Sequence, residues 1–361
     1  MTFDENVLSL TQDKLLPKVV NNILTGTIAV FRFLGNAKEG SGESIKKPIK
    51  YRDSGAATSF AGLDTFSAAK LDTKVRMSYD MRGAREPVAI SGMEAVANKV
   101  ASTKITDLIV EALEETQHEL MNAIGTMIYG DGTGNTNKDF IGLDAIVDDG
   151  TSVSTIGGLS RTTYDPVLNA TRTASGGTLS LAKLATLFSA VSDGTPDSTP
   201  TLLISNETVW DLFEQLLTPT VSANYNLTSV TPYGVAGRTG GFQRVEGFKG
   251  SHGFQALSYK GIPWVRDPKS TAQTVWMLNE KHLQWYGWDG SVFGYKKIAF
   301  GSSQIEDVYG EPPMSNFSGF NWSGWNTPTN QYGAIADVIL LGNLTSWAPR
   351  RHGRLTGITG V

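Results

Sequence analysis

The stretch "IYGDGTGNTNKDFIGLDAIV", residues 128–147, sets Gly130, Gly132 and Gly134 at alternate positions beside Asp131 and Asp139. Such a cluster serves as a phosphate cradle, a cation loop or a tight turn, and the choice separates an enzyme from a protein that does no chemistry. It fails as a dinucleotide fingerprint because it follows a helical pattern instead of a strand and lacks the third glycine at the required offset. It fails as a P-loop because Lys138 is neither preceded by Gly nor followed by Ser or Thr. It fails as a calcium-binding helix-loop-helix because Thr136 stands where glycine is needed and Gly142 where a bidentate glutamate belongs. A weak cation site through Asp131 and Asp139 stays open beside the plainest reading, a helix terminus. In that reading Gly130 is the C-cap and Asp131, Gly132 and Gly134 make the tight turn that follows.

The helix that would end there starts at Ser91-Gly92-Met93-Glu94, a capping box in which Ser91 and Glu94 each satisfy an orphan backbone donor. Val96, Val100, Ile105, Leu108, Ile109, Leu113, Leu120, Ile124 and Ile128 continue an apolar stripe from it. A straight helix over about 38 residues would be a rod of ~57 Å, and the run Ser102, Thr103, Ile105, Thr106 is a place for it to bend. A coiled coil is the other reading of so long a stripe, although the spacing is not a strict heptad. Glu111, Glu114, Glu115 and Glu119 follow helical spacing and read as a solvated or subunit-facing acidic stripe, not as a catalytic pair.

Before the helix, Ile45, Lys47, Ile49, Tyr51 and Val75, Met77, Tyr79, Met81 alternate on either side of a Ser/Ala/Gly-rich tip. That is the pattern of a long β-hairpin. Isolated hairpins are marginal in water, so this arm needs a surface from its own domain or from a neighbouring subunit. Residues 14–34 read as a first helix, and 151–180 as polar loops and short strands. A helix from Ser180 to about Val191, the buried strand and helix of "TLLISNETVWDLFEQLL" with a cap near Asn206, and a polar loop over residues 218–252 follow. "YKGIPWVRD", "TVWMLNEKHLQWYGW", "YKKIAFG" and "DVILLGNLT" read as later strands.

Composition removes several classes of function. The chain has 361 residues, 18% charged, with net charge −4 and no cysteine. No overall basic field draws it to nucleic acid, and disulfides, thiolate catalysis and cysteine zinc sites are excluded. The acidic N-terminus and the interruptions at Lys18, Asn21, Asn22 and Arg32 argue against a signal peptide or a membrane span. His118, His252, His282 and His352 form no ligand pairing, and there is no G-x-S-x-G elbow. Trp322 and Trp325 among small residues suit packing better than sugar or base stacking, and Arg350, Arg351 and Arg354 offer at most a weak phosphate contact. No catalytic residue, cofactor or metal is assigned.

Read in order, "GESIKKPIKY", "VAISGMEAVANK", "YGDGTGNTNKDFIGLDAIV", "IGGLSR", "ALSYKGIPWVRD" and "VWMLNEKHLQW" make the chain resemble the major capsid proteins of tailed bacteriophages. The likeness covers most of residues 40–290. It implies an α+β Hong Kong 97-type fold: an N-terminal arm over residues 1–35, the E-loop hairpin over 36–86, and a peripheral domain over 87–195 with a spine helix at about 92–129. An axial domain over 196–315 and a return to the peripheral domain over 316–361 complete it. The resemblance implies self-assembly through hexamers and pentamers into an icosahedral virion shell around double-stranded DNA, in the host cytoplasm. It also implies separate scaffolding and portal proteins, with decoration proteins in some members, and no membrane. Candidate subunit contacts pair Lys46, Lys47, Lys50 and Arg52 of the hairpin with Glu111, Glu114 and Glu115 of a neighbour's spine. No lysine and asparagine stand in a motif for cross-linking. An encapsulin-like compartment, an α/β enzyme and a carbohydrate-binding protein are the alternatives.

Overall fold

The computed structural model describes residues 28–55, 57–64, 71–97, 108–224, 256–292, 296–297 and 320–360. The helices are α1 (Ile28–Gly35), α2 (Gly92–Ala97), α3 (Leu108–Ile128), the single turn α4 (Leu143–Ile146), α5 (Leu181–Val191) and α6 (Glu207–Asn224). The early strands are β1 (Lys38–Gly40), β2 (Ser44–Lys50), β3 (Lys74–Asp80), β4 (Arg82–Ser91), β5 (Thr155–Ile156), β6 (Leu159–Ser160), β7 (Thr171–Thr173), β8 (Gly177–Thr178) and β9 (Leu202–Ser205). The later ones are β10 (Ala256–Tyr259), β11 (Ile262–Arg266), β12 (Val275–Leu278), β13 (Leu283–Trp288), β14 (Lys296–Lys297), β15 (Phe320–Trp322), β16 (Gly333–Ser346), β17 (Gly353–Leu355) and β18 (Ile358–Gly360).

Two six-stranded sheets organise the chain. The first runs β1-β13-β16-β15-β14, with β4 also paired to β16 from Gly333↔Ser91 to Gly342↔Arg82. The second runs β10-β11-β9-β12-β17-β7. Two apolar clusters fill the chain, and the second sheet, through Leu202, Ile204, Val265, Trp276 and Leu278, contributes to the first as well as the second. One joins α1, the inner face of β2 and β3, the C-terminal half of α3 and the first sheet, and includes Ile124, Ile128, Phe140 and Trp285. The other fills the space under α5 and α6 with Leu184, Leu187, Phe213 and Trp264. There Trp264 stacks on Phe213 at 4.1 Å and donates from Nε1 to Ser205 Oγ at 2.8 Å, which satisfies the polar end of a buried ring.

Local chemistry accounts for the element ends. Ser180 caps α5 by accepting from the Lys183 amide, and Asn206 caps α6 by accepting from the Val209 amide. In the first described turn of α1, the Ala29 amide donates to the buried Asp267 carboxylate at 2.9 Å.

Several segments differ from the sequence reading. The described part of the first helix is α1, and the rest of residues 14–34 lies outside the described residues. The spine pattern is found as α2 and α3, with residues 98–107 outside the described set. Strand β4 was not expected because Pro87 interrupts its alternation; as β4 pairs only with β16, the missing amide costs no ladder bond. Helix α6 continues to Asn224, seven residues into the expected loop, and passes Pro219 with the loss of one backbone donor; residues 225–252 of that loop lie outside the described residues. Strand β17 was also missed: its three buried residues, Gly353, Arg354 and Leu355, carry no apolar alternation.

Candidate subunit-contact surfaces

The hairpin is two regions in one element. Strands β2 and β3 pair antiparallel from Ser44↔Asp80 to Lys50↔Lys74, so directly opposed residues share a face. The inner face carries Ile49, Met77 and Tyr79, all buried. Tyr79 donates to the Ser346 carbonyl at 2.7 Å and meets Trp347 edge-on at 5.2 Å, and the Ser78 amide donates to the Gly157 carbonyl. The base of the arm therefore lies on its own chain, which supplies half of the support that the isolated hairpin lacks. Beyond Arg52 the described residues are exposed, among them Phe60 and Leu63.

The candidate cations separate by face. Lys47 belongs to the inner face, where its ammonium lies 5.7 Å from the centre of the Trp347 ring. Lys46 and Lys50 point outward together with Lys74 and Arg76, which sequence reading overlooked because it weighed only one strand. Lys50 and Lys74 are direct cross-strand neighbours, an arrangement that repels. Lys50 has an exposed ion pair with Asp53, and Arg52 donates from Nε to the Asp72 carbonyl. Among the described residues no ion pair engages Lys46, Lys74 or Arg76.

The acidic side is placed only in part. Glu115 and Glu119 are exposed on α3, whereas the side chains of Glu111 and Glu114 lie outside the described set. Half-buried Glu86 on β4 has its carboxyl pushed up, first by burial and then by the nearby Glu119. This carboxylate pair has no cation partner among the described residues, so among them its repulsion is uncompensated.

The glycine stretch is a chain reversal under the end of α3. Gly130 donates its amide to the Met127 carbonyl at 3.0 Å, and Gly132 takes φ +79°, a conformation open to glycine. Asp131 accepts from both the amide and the hydroxyl of Thr133, which lowers its carboxyl below the ordinary value. Arg82 clamps the turn by donating to the Gly132 carbonyl at 2.7 Å and to the Asp139 carbonyl. Gly134 opens a short turn whose next residues, Asn135 and Thr136, also have positive φ. Gly142, which sequence reading did not single out as structural, is required: a Cβ there would sit 2.3 Å from the Gly130 carbonyl and 2.6 Å from those of Ile128 and Met127. At the other end, the Ser91 amide donates to Glu94 Oε2 at 3.0 Å and the Met93 amide to Ser91 Oγ at 3.3 Å.

The remaining sequence candidates have structural partners. Arg354 is buried and paired with Asp144 and Asp148, and Arg351 pairs with Asp193, so two of the three C-terminal arginines are committed within the chain. Arg161, fully buried, donates to the carbonyls of Asp148, Leu168, Ala145 and Ile146. His352 accepts the Asn279 amide at Nδ1, so Nε2 carries the proton toward Ser346 Oγ at 2.9 Å; burial, with His282 nearby, pushes its pKa down to about 3. His282 contacts Asp197, and His252 lies outside the described residues. No cluster of three or more His, Asp or Glu suited to a metal exists among the described residues, and none of their helices is long and apolar enough to cross a membrane. Trp325 meets Trp322 edge-on at 5.4 Å and borders an apolar groove without the convergent polar groups that orient a sugar.

No family model matches the sequence, and no curated protein matches it. Solved structures do. The capsid of cyanophage A-1(L) superposes with TM-score 0.72 at 14% identity, covering 99% of this chain and 100% of that one. The encapsulin SrpI of Synechococcus elongatus gives 0.55 at 11% identity over 99% and 96%. The capsid of the Myoviridae phage XM1 gives 0.51 at 13% identity over 99% of each. The chain thus has the α+β Hong Kong 97-type capsid fold expected from its sequence.

Proposed function

We propose that the chain is the major capsid protein of a tailed bacteriophage, a structural protein without enzymatic activity that builds an icosahedral shell through hexamers and pentamers. The observation that carries this is the end-to-end agreement with the cyanophage A-1(L) capsid. In this reading residues 1–35 are the N-terminal arm, 36–86 the E-loop, 87–195 and 316–361 the peripheral domain and 196–315 the axial domain. The outward hairpin cations meet the acidic spine of an adjacent copy. Each such exposed pair is worth only about 0.2–1 kcal/mol, so repetition around a capsomer supplies the strength. Double-stranded DNA is enclosed by non-specific contact, with separate scaffolding and portal proteins, decoration proteins where present, and assembly in the host cytoplasm.

The encapsulin reading shares the fold and is supported by the SrpI likeness, which is weaker at equal coverage of this chain. Purified native particles separate the two. Nuclease-protected double-stranded DNA supports the phage capsid, and protein cargo without nucleic acid supports the compartment.

A further inference from the structure

The root of the hairpin is touched at two points by one segment of its own chain. Strands β5 and β6 pair from Thr155↔Ser160 to Ile156↔Leu159 and are joined by Gly157 and Gly158, at φ +57° and +74°. This is the two-residue turn whose central residues are both left-handed. The Met81 amide donates to the Glu43 carbonyl, so by alternation the Ser78 amide faces away from β2. It donates instead to the Gly157 carbonyl at 2.9 Å. Gly157 also lies on Met77: a Cβ there would come within 2.7 Å of Met77 Cε and 3.2 Å of its Cβ. The same atom added at Gly158 would meet nothing within 4 Å.

The second point lies farther out. Tyr164, whose amide donates to the Ser160 carbonyl, meets Tyr51 edge-on at 5.0 Å. Ser78 opposes Lys46 in the ribbon, so the step from Lys46 to Tyr51 separates the two contacts by about 17 Å along the arm.

These contacts differ in kind from the burial of Ile49, Met77 and Tyr79. Burial holds the arm to the body by one face, but apolar contact is non-directional and opposes rotation in the plane of the ribbon only weakly. A hydrogen bond on one edge and a ring contact farther out fix two points of a line, and therefore its direction. Beside the root, Ser78, Asp80, Arg82, Asp131, Asn137 and Gly157 border a polar cavity of about 250 Å³, so close packing does not set the angle on that side.

We infer that the 155–164 segment sets the direction in which the hairpin leaves the body, with Gly157 and Tyr164 as its positioning residues. The direction is a property of the single chain, whereas its consequence, particle diameter, rests on the shell reading.

The chain has no cysteine, so spin labels at Lys74→Cys, exposed at the outer end of β3, and Leu181→Cys, exposed on α5, report the direction as one distance distribution. Labelled full chain is diluted into unlabelled chain, so that only distances within a copy are read. Asparagine tolerates a left-handed backbone, which makes Gly158→Asn the matched control for Gly157→Asn. Gly157→Asn and Tyr164→Ala should each broaden or displace the distribution. Gly157→Asn should also cut protection of the Ser78 amide against hydrogen exchange roughly tenfold. Gly158→Asn should leave both readings as in the parent. Tyr164 is half-buried, so its variant decides the matter even where Gly157→Asn does not fold. A parent distribution from Tyr164→Ala, or equal changes in the two asparagine variants, overturns the inference. Particles of parent diameter from a variant with an altered distribution overturn the consequence for the shell and not the direction. A parent chain that forms no particles contradicts the shell reading, while the distances still decide the direction.

Discussion

The charges of the interior and those of the hairpin are arranged on opposite principles. Inside, Asp148 accepts from Arg172, Arg354 and three backbone amides, while Arg161 satisfies four carbonyls of the 145–168 region, so these charges meet their partners within the chain, with the buried Nε atoms of Arg161, Arg172 and Arg354 left over. On the hairpin, Lys46, Lys74 and Arg76 have no ion pair among the described residues and Lys50 faces Lys74. The first arrangement holds one subunit together. The second leaves like charges facing outward, and in the proposed shell a neighbouring copy would complete it.

The largest effect on the subunit belongs to the interior. Arg161→Met strands four buried carbonyls and should cost about 3–5 kcal/mol in denaturant unfolding. A loss below about 1 kcal/mol would remove the distinction between the regions.

Next is His352, whose folded pKa of about 3 lies below the ordinary 6.5 or so. The unfolded chain binds the proton more readily, so stability is full above about pH 6.5 and falls as pH drops toward about 3, by at most about 1.4 kcal/mol per pH unit. His352→Gln should flatten that part of the pH–stability curve.

Gly142→Ala drives a methyl into three backbone carbonyls and should destabilise by about 1–3 kcal/mol. Ser91→Ala should cost only about 0.5–1 kcal/mol in thermal or denaturant melts, because the cap is exposed.

The smallest effect on folding is expected from reversing Lys46, Lys50 and Lys74 together to glutamate. The subunit should melt as before, while particle yield in sedimentation collapses. Lys47→Ala, on the inner face, should leave particle yield closer to normal. Normal particles from the triple variant would show that the hairpin charges are merely solvated.

What the sequence disclosed follows from the range of each signal. The hairpin alternation, the Ser91 and Glu94 pattern and the helix starts at Ser180 and Asn206 are local, and the structure contains each element. Which lysines share a face depends on cross-strand register, so Lys74 and Arg76 were passed over although their own strand was recognised. Arg351 and Arg354 read as no more than a weak phosphate contact because their carboxylate partners, Asp144, Asp148 and Asp193, lie far away in sequence. Strand β17 and the buried role of Arg161 were hidden for the same reason: a three-residue strand and a lone arginine gain meaning only from distant partners.

The most direct test of the central claim is electron microscopy of the expressed chain beside its sedimentation profile, alone and with a candidate scaffolding protein. The account predicts uniform closed shells, or rings and tubes of capsomers. A monomer or small oligomer that persists in both conditions would contradict it.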